Sequence, residues 1–177
     1  MIQSGHRVPM AKSVKVRVST LDDEAPISSL LRASDPRLMC SAYEAELLEQ
    51  VLPRMTVAQP GLLQSGSYYV AETSDGAIIG CGGWTKERPG TSEIKAKVGH
   101  IRHFGVHPDW TRCGVGKAIY GQCKLDTRKA GLTRLECYSS LNGEAFYSAL
   151  GFRRLALIEI DIFDGVRFPR VHMVASI

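Results

Sequence analysis

The sequence predicts a chain of the α/β (α+β) class: a mixed central β-sheet of about seven strands flanked by about four helices. Three observations carry this reading. Val14, Val16 and Val18 alternate with polar residues, the period of a half-buried strand, and further apolar runs bounded by turn residues recur along the chain. Stretches with a helical apolar stripe separate them. The resulting order, β-α-α-β-β-β-α-β-α-β-β, contains no internal repeat and gives a mixed sheet with helices on its faces.

After the first strand, Thr20 or Asp22 can cap a helix whose stripe is Ile27, Leu30 and Leu31, and Asp35-Pro36 is expected to stop it. A second helix is predicted over 38–52, with Tyr43, Leu47, Leu48 and Val51 inward and Pro53 at its end. The segment 56–66 reads as loop. Strands at 67–71 and 77–84 flank Thr73-Ser74-Asp75-Gly76, which makes them a hairpin. Gly80, Gly82 and Gly83 inside the second strand point to a bulge, a close approach or simple twist. Residues 85–97 are polar around Pro89-Gly90 and read as a surface loop, a substrate-facing flap by position.

The next strand, 100–106, places Arg102, Phe104 and Val106 on one side and Ile101, His103 and Gly105 on the other. A helix over 114–130 follows, with Val115, Ala118, Ile119 and Cys123 on one face and Gly131 as its stop. After a strand at 133–138, Asn142 reads as the N-cap of a helix that ends at Gly151, with Leu141 stapled to Phe146. Runs at 153–162 and 167–174 around Phe163-Asp164-Gly165 close the chain as a hairpin.

Composition narrows the function classes. A chain of 177 residues, 44% hydrophobic, suits one domain over 14–177 after a flexible tail at 1–13. A net charge of +4 is too modest for a nucleic-acid binder but suits an anionic small ligand. Five cysteines without a Cys-x-x-Cys pair indicate free thiols, hence neither a disulfide framework nor a zinc site. The first dozen residues lack the apolar segment of a signal peptide, and no run is long enough to span a bilayer, so a cytoplasmic protein without a membrane partner is expected.

The stretch from Phe104 to Tyr120 carries the strongest functional signal: a strand, a proline turn, and two glycines opening a helix. Unpaired N–H groups and the positive end of the helix dipole make such a start an anion cradle, and Gly114 and Gly116 let a ligand approach. A P-loop would need glycine where Thr111 stands and Ser or Thr where Ala118 stands. A dinucleotide fingerprint would need a small residue at Ile119.

The motif resembles the signature of the GNAT superfamily of acyl-CoA-dependent N-acyltransferases. That signature, a strand ending in hydrophobic-x-Val-x-Pro followed by Gln/Arg-x-x-Gly-x-Gly/Ala, is matched by Phe104-Gly105-Val106-His107-Pro108 and Thr111-Arg112-Cys113-Gly114-Val115-Gly116. Asn142 to Phe152, NGEAFYSALGF, is similar to the family's later helix, and the resemblance extends from about Val14 to Val174. Thr111 departs from the usual Gln or Arg, with Arg112 next to it as a substitute. The resemblance implies splayed central strands, acetyl-CoA as co-substrate, and transfer of acetyl to a primary amine of a small molecule or peptide by direct attack. It also implies that the main chain of Phe104, Gly105 and Val106 pairs with the pantetheine arm, and that Asn142 lies close to it. Independently of the family, backbone amides from Arg112 through Cys113, Gly114, Val115 and Gly116 to Lys117 can satisfy phosphate oxygens.

An amine attacking a thioester must be neutral, the oxyanion needs a donor, and the leaving thiolate needs a proton. Tyr147 is the candidate acid: the family uses a tyrosine here, and the helical period turns it away from a stripe of Ala145, Phe146, Ala149 and Leu150. His100 is the candidate base, with Glu136 as a further one, and the N–H of Val106 is the candidate oxyanion donor. His103 and His107 read as facing away from His100, so no metal is expected. Two other readings stand beside the enzyme: a catalytically weak or inactive CoA-binding sensor, and a phosphate or nucleotide binder unrelated to CoA. Neither the acceptor nor the oligomeric state is legible, and a homodimer is compatible with the sequence.

Overall fold

The structure, a computed structural model, describes residues 14–177, so the tail predicted at 1–13 lies outside the described residues. β1 (Val14–Val18) leads into α1 (Glu24–Met39), α2 (Ala45–Met55) and the short α3 (Pro60–Leu63). β2 (Tyr68–Thr73), β3 (Ile78–Thr85) and β4 (Val98–Val106) precede α4 (Val115–Lys129), β5 (Arg134–Ser139), α5 (Glu144–Ala149), β6 (Arg153–Phe163) and β7 (Val166–Ser176). The seven strands form one sheet in the order β1-β2-β3-β4-β5-β7-β6. Every neighbouring pair is antiparallel except β4 and β5.

The helices cover both faces. On one, Ile27, Leu30 and Leu31 of α1 pack on Tyr68, Val70 and Cys81, while Met39, Tyr43, Leu48 and Val51 pack with Phe168 of β7. On the other, Val115, Ile119 and Cys123 of α4 meet Tyr69, Ala71 and Ile79. Tyr147 and Phe152 join Ile101, Leu135, Cys137, Val171 and Met173 on that second face. The Tyr43 hydroxyl donates to the Pro169 carbonyl and accepts from the Leu141 N–H, both at 2.8 Å, and so ties the α1–α2 connection to β7 and to the turn before α5.

Three expectations about helix limits are corrected. α1 runs past Asp35-Pro36 to Met39, and α2 starts at Ala45 and runs past Pro53 to Met55. A proline near a helix C-terminus removes one hydrogen bond, and burial of Met39 and Val51 holds the surrounding turns. The predicted 56–66 loop contains α3, which starts with Pro60 and buries Leu62 and Leu63.

The β3 glycines are explained by packing. A Cβ on Gly80 would lie 2.5 Å from Val115, and one on Gly82 would lie 2.4 Å from the Phe104 ring. All five cysteines are free. Among the described residues no helix is long and apolar enough to cross a membrane.

Candidate active site

The parallel β4–β5 ladder contains three pairs, Val98 with Arg134, Gly99 with Leu135 and His100 with Glu136. Beyond them β4 continues to Val106 and β5 to Ser139 without pairing, so the sheet opens in its middle. A bulge adds to the divergence: the β3–β4 register shifts between Cys81 and Gly83, and His103 sits at φ 48.

The bulge overturns the simple alternation expected for this strand. His103 bonds the Met55 carbonyl through Nε2 at 2.8 Å and therefore faces α2. Arg102 donates to Thr85 Oγ1, and the Gly105 α-carbon faces Leu31 of α1. His103 thus shares the α1/α2 side with Arg102, whereas Ile101 and Phe104 belong to the opposite face. One extra residue reverses the pattern after Arg102. Among the described residues no group of three or more His, Cys, Asp or Glu is arranged to hold a metal ion.

α4 begins where β4 points. Gly114 is its N-cap at φ 82, and Arg112 also lies in the left-handed region at φ 61. The first helical bond runs from the Ala118 N–H to the Gly114 carbonyl, which leaves the N–H groups of Val115, Gly116 and Lys117 without helical acceptors. Arg112, Cys113, Gly114 and Lys117 are exposed around them. Thr111 closes the preceding turn through Oγ1 to the Pro108 carbonyl at 2.9 Å. The exposed Cys113 thiol bonds the Thr111 carbonyl and has no histidine partner among the described residues. Lys129 pairs with Asp126 in the last turn of α4, about 20 Å along the helix from the cradle.

On α5 the expected stripe is reversed. Ala145 and Ala149 are exposed, and Tyr147 is the buried residue of this short helix. Its ring packs edge-on against Phe104 at 6.2 Å, Phe146 at 5.0 Å and Phe152 at 5.4 Å. Tyr147 therefore leans toward β4 across the opening, and burial raises its phenol well above the usual value, so it is a protonated donor at neutral pH. Asn142 is exposed in a 3-10 turn, and Gly143 rather than Asn142 is the N-cap of α5. The chain needs that extra turn to bring Leu141 to the Tyr43 hydroxyl.

The α1/α2 side of the opening is polar. His100 is 1% exposed, and both of its ring nitrogens lack a hydrogen-bond partner among the described residues. Burial lowers its pKa against the opposing pull of Glu136, so the imidazole is neutral with a free lone pair. Glu136 itself is held by His172 Nε2 at 3.0 Å and Arg134 at 2.9 Å. Burial pushes the Glu136 carboxyl up, but the bond to His172 and the charge of Arg134 outweigh it and leave the group an ionised partner rather than a proton acceptor. The Tyr138 ring lies between His100 (6.5 Å) and His172 (4.9 Å), with the Arg88 guanidinium 5.6 Å from it. The 85–97 stretch carries a Glu87–Ile94 bridge, and between its 88–91 part and β6 a cleft of about 360 Å³ reaches Tyr138.

Two residues that the sequence reading passed over stand at the same opening. Asp35 continues the apolar stripe of α1 at the position after Ser34, whose hydroxyl donates to the Val106 carbonyl at 2.7 Å. Arg170 on β7 donates from Nη1 to the Tyr138 carbonyl at 3.3 Å. A carboxylate inside an apolar helical period and an arginine in the inward register of Phe168 were the available signals.

A helix N-terminus at the mouth of an opened sheet is an arrangement with backbone N–H groups able to meet a phosphate. The model of the acetyltransferase (GNAT) domain matches residues 64–154, just over half of the chain, and the chain belongs to that family of acyltransferases. No curated protein sequence matches it. Among solved structures it is similar in fold to a PaiA N-acetyltransferase from Thermoplasma acidophilum in complex with coenzyme A, with 19% identity over 93% of this chain and 99% of that one and a TM-score of 0.70. A GCN5-related N-acetyltransferase from Rhodopseudomonas palustris gives 20% identity, 98% and 100% coverage and a TM-score of 0.73. N-acetylglutamate synthase from Neisseria gonorrhoeae, complexed with coenzyme A and N-acetyl-glutamate, gives 19% identity over 94% of this chain and 36% of that one, with a TM-score of 0.60.

Proposed function

We propose that residues 14–177 act as one domain that transfers an acetyl group from acetyl-CoA to a primary amine by direct attack in a ternary complex. The carrying observation is that the β4–β5 ladder ends at His100 and Glu136 while the open N-terminus of α4 lies at the far end of β4. The family, and the coenzyme A in the related structures, support acetyl-CoA as the donor.

In this reading the N–H groups of the Arg112–Lys117 stretch hold the pyrophosphate, and the Arg112 and Lys117 side chains add positive charge. The main chain of Phe104, Gly105 and Val106, unpaired on the β5 side, receives the pantetheine arm, with Asn142 beside it. The amine enters from the α1/α2 side. His100 takes one proton from the ammonium group through a water, the freed nitrogen lone pair attacks the thioester carbon, and the second nitrogen proton passes to solvent as the tetrahedral intermediate collapses. The Val106 N–H meets the developing oxyanion. As the C–S bond breaks, Tyr147 gives its proton to the leaving sulfur. Free thiols fit a reducing compartment and support a cytoplasmic setting for this activity.

A thiol-release assay with acetyl-CoA against amino acids, polyamines, aminoglycosides and peptide N-termini tests the reading. Acceptor-dependent release of CoA is the expected result. Tight CoA binding without release for any amine would favour the sensor.

A further inference from the structure

The described residues contain three buried carboxylates, and two are matched by cations. Asp23 pairs with Arg17 at 2.8 Å, and Glu136 with Arg134 and His172. Asp35, 8% exposed, makes neither a hydrogen bond nor an ion pair with any described residue. Arg170 is its counterpart. Its Nε is fully buried without a partner, its guanidinium lies 4.8 Å from the Phe168 ring centroid, and it forms no ion pair among the described residues. A buried ionisable group without a partner is costly to charge, so an acid and a base of this kind on one opening call for an explanation.

They do not neutralise each other. Asp35 and Arg170 feel one another's charge, yet they are not within ion-pair distance. Each is anchored to a different wall: the turn of α1 that carries Asp35 is tied to the end of β4 by Ser34, and Arg170 is tied to β5 through the Tyr138 carbonyl. Between these walls lies the opened ladder. His103 adds one more unmet group, because its Nε2 donates to Met55 and its buried Nδ1 is left as an acceptor without a donor among the described residues. A plain anion would satisfy Arg170 but leave Asp35 without a partner, and a polycation would satisfy Asp35 but be repelled by Arg170.

We propose that the acceptor is a zwitterion, an amine that also carries a carboxylate as an α-amino acid does, with its carboxylate on Arg170 and its ammonium group between Asp35 and His103. The proposal rests on the acetyltransferase reading above for what happens to the amine, but the binding site stands on its own residues. Asp35 and Arg170 both lie outside the 64–154 segment that carries the family match, so family membership does not assign them.

The test compares free L-amino acids with their primary amides and their decarboxylated amines, using thiol release with acetyl-CoA and, separately, calorimetric binding in the presence of CoA. Free acids are expected to exceed their amides in kcat/KM by about tenfold or more, the scale of a lost charge-assisted pair. Arg170→Gln is expected to raise KM for the acid by a similar factor, leave KM for acetyl-CoA unchanged and erase the preference for acid over amide. Arg170→Lys retains part of it. Equal or better use of amides, peptides or polyamines overturns the proposal while leaving the acetyltransferase reading intact. Calorimetric binding of an amino acid that Arg170→Gln abolishes, without thiol release, upholds the zwitterion site and overturns the acetyltransferase reading alone. If Arg170→Gln does not fold, the acid-to-amide ratio of the unaltered protein decides.

Discussion

His100 and Glu136 are the last paired residues of the one parallel ladder among the described residues, and past them β4 and β5 part. The two side chains share one side of the sheet yet differ in state: Glu136 is bound by Arg134 and His172, while His100 is buried with neither nitrogen hydrogen-bonded among the described residues. The pair marks the apex of the opening, and its asymmetry assigns the free lone pair to the histidine.

In the proposed mechanism His100 governs the acid side of the pH profile. Burial lowers its pKa from 6.5, so the neutral, proton-accepting form persists below that value and is lost only as pH falls through the folded pKa. We expect an acidic limb in kcat/KM centred below pH 6.5, and expect His100→Gln to remove that limb and lower kcat by about 10- to 100-fold. pH-rate profiles of the two proteins measure this, and an unchanged limb in the variant would release His100 from the role.

Tyr147→Phe keeps the ring that packs on Phe104, Phe146 and Phe152 and removes only the hydroxyl. The expected outcome is a fall in kcat of about 100-fold with little change in KM for acetyl-CoA or in thermal stability, as for loss of a general acid. Steady-state kinetics with a working acceptor decide it. Turnover equal to the unaltered enzyme would assign Tyr147 to the core alone.

Gly114→Val probes the cradle. Nothing lies within 4 Å of a Cβ at this position, so the substitution acts through backbone conformation: at φ 82 a β-branched residue is strained. The left-handed region costs a residue with a side chain about 1–2 kcal/mol, and relaxing it turns the first N–H groups of α4 away from the ligand. Calorimetry is expected to show CoA affinity reduced by about tenfold, and equal affinity would place the phosphates elsewhere.

Asp35→Asn is expected to stabilise the protein at alkaline pH. Burial pushes the Asp35 carboxyl from 3.8 up to about 7, so between these values the folded state holds a proton that the unfolded state has lost. Stability from this group is therefore lost as pH rises across that window, by up to roughly 4 kcal/mol, and asparagine removes the loss. The difference in melting temperature between variant and unaltered protein should be larger at pH 8 than at pH 5. A difference independent of pH would mean that Asp35 ionises normally.

Much of this molecule is written locally. Val14, Val16 and Val18 declare a strand by alternation, and Gly114 and Gly116 declare an open helix start because only short-range geometry is involved. Proline misled the reading at Asp35-Pro36 and Pro53, since burial of Met39 and Val51 on neighbouring turns outweighs one missing hydrogen bond. The helix of Tyr147 was misread for a related reason. Its six residues are too few for a reliable period, and the choice between Tyr147 and Ala149 as the inward residue is made by Phe104 and Phe152 from other elements.

By itself, then, the sequence determined the order of strands and helices apart from the short α3, the open helix start at Gly114 and the family to which they belong, because each depends on neighbours a few residues apart. Tertiary structure alone decided which side His103 faces, since one bulged residue reverses an alternation, and alone brought Asp35 and Arg170 to opposite walls of one opening. Long-range packing sets those distances, and no local period encodes them.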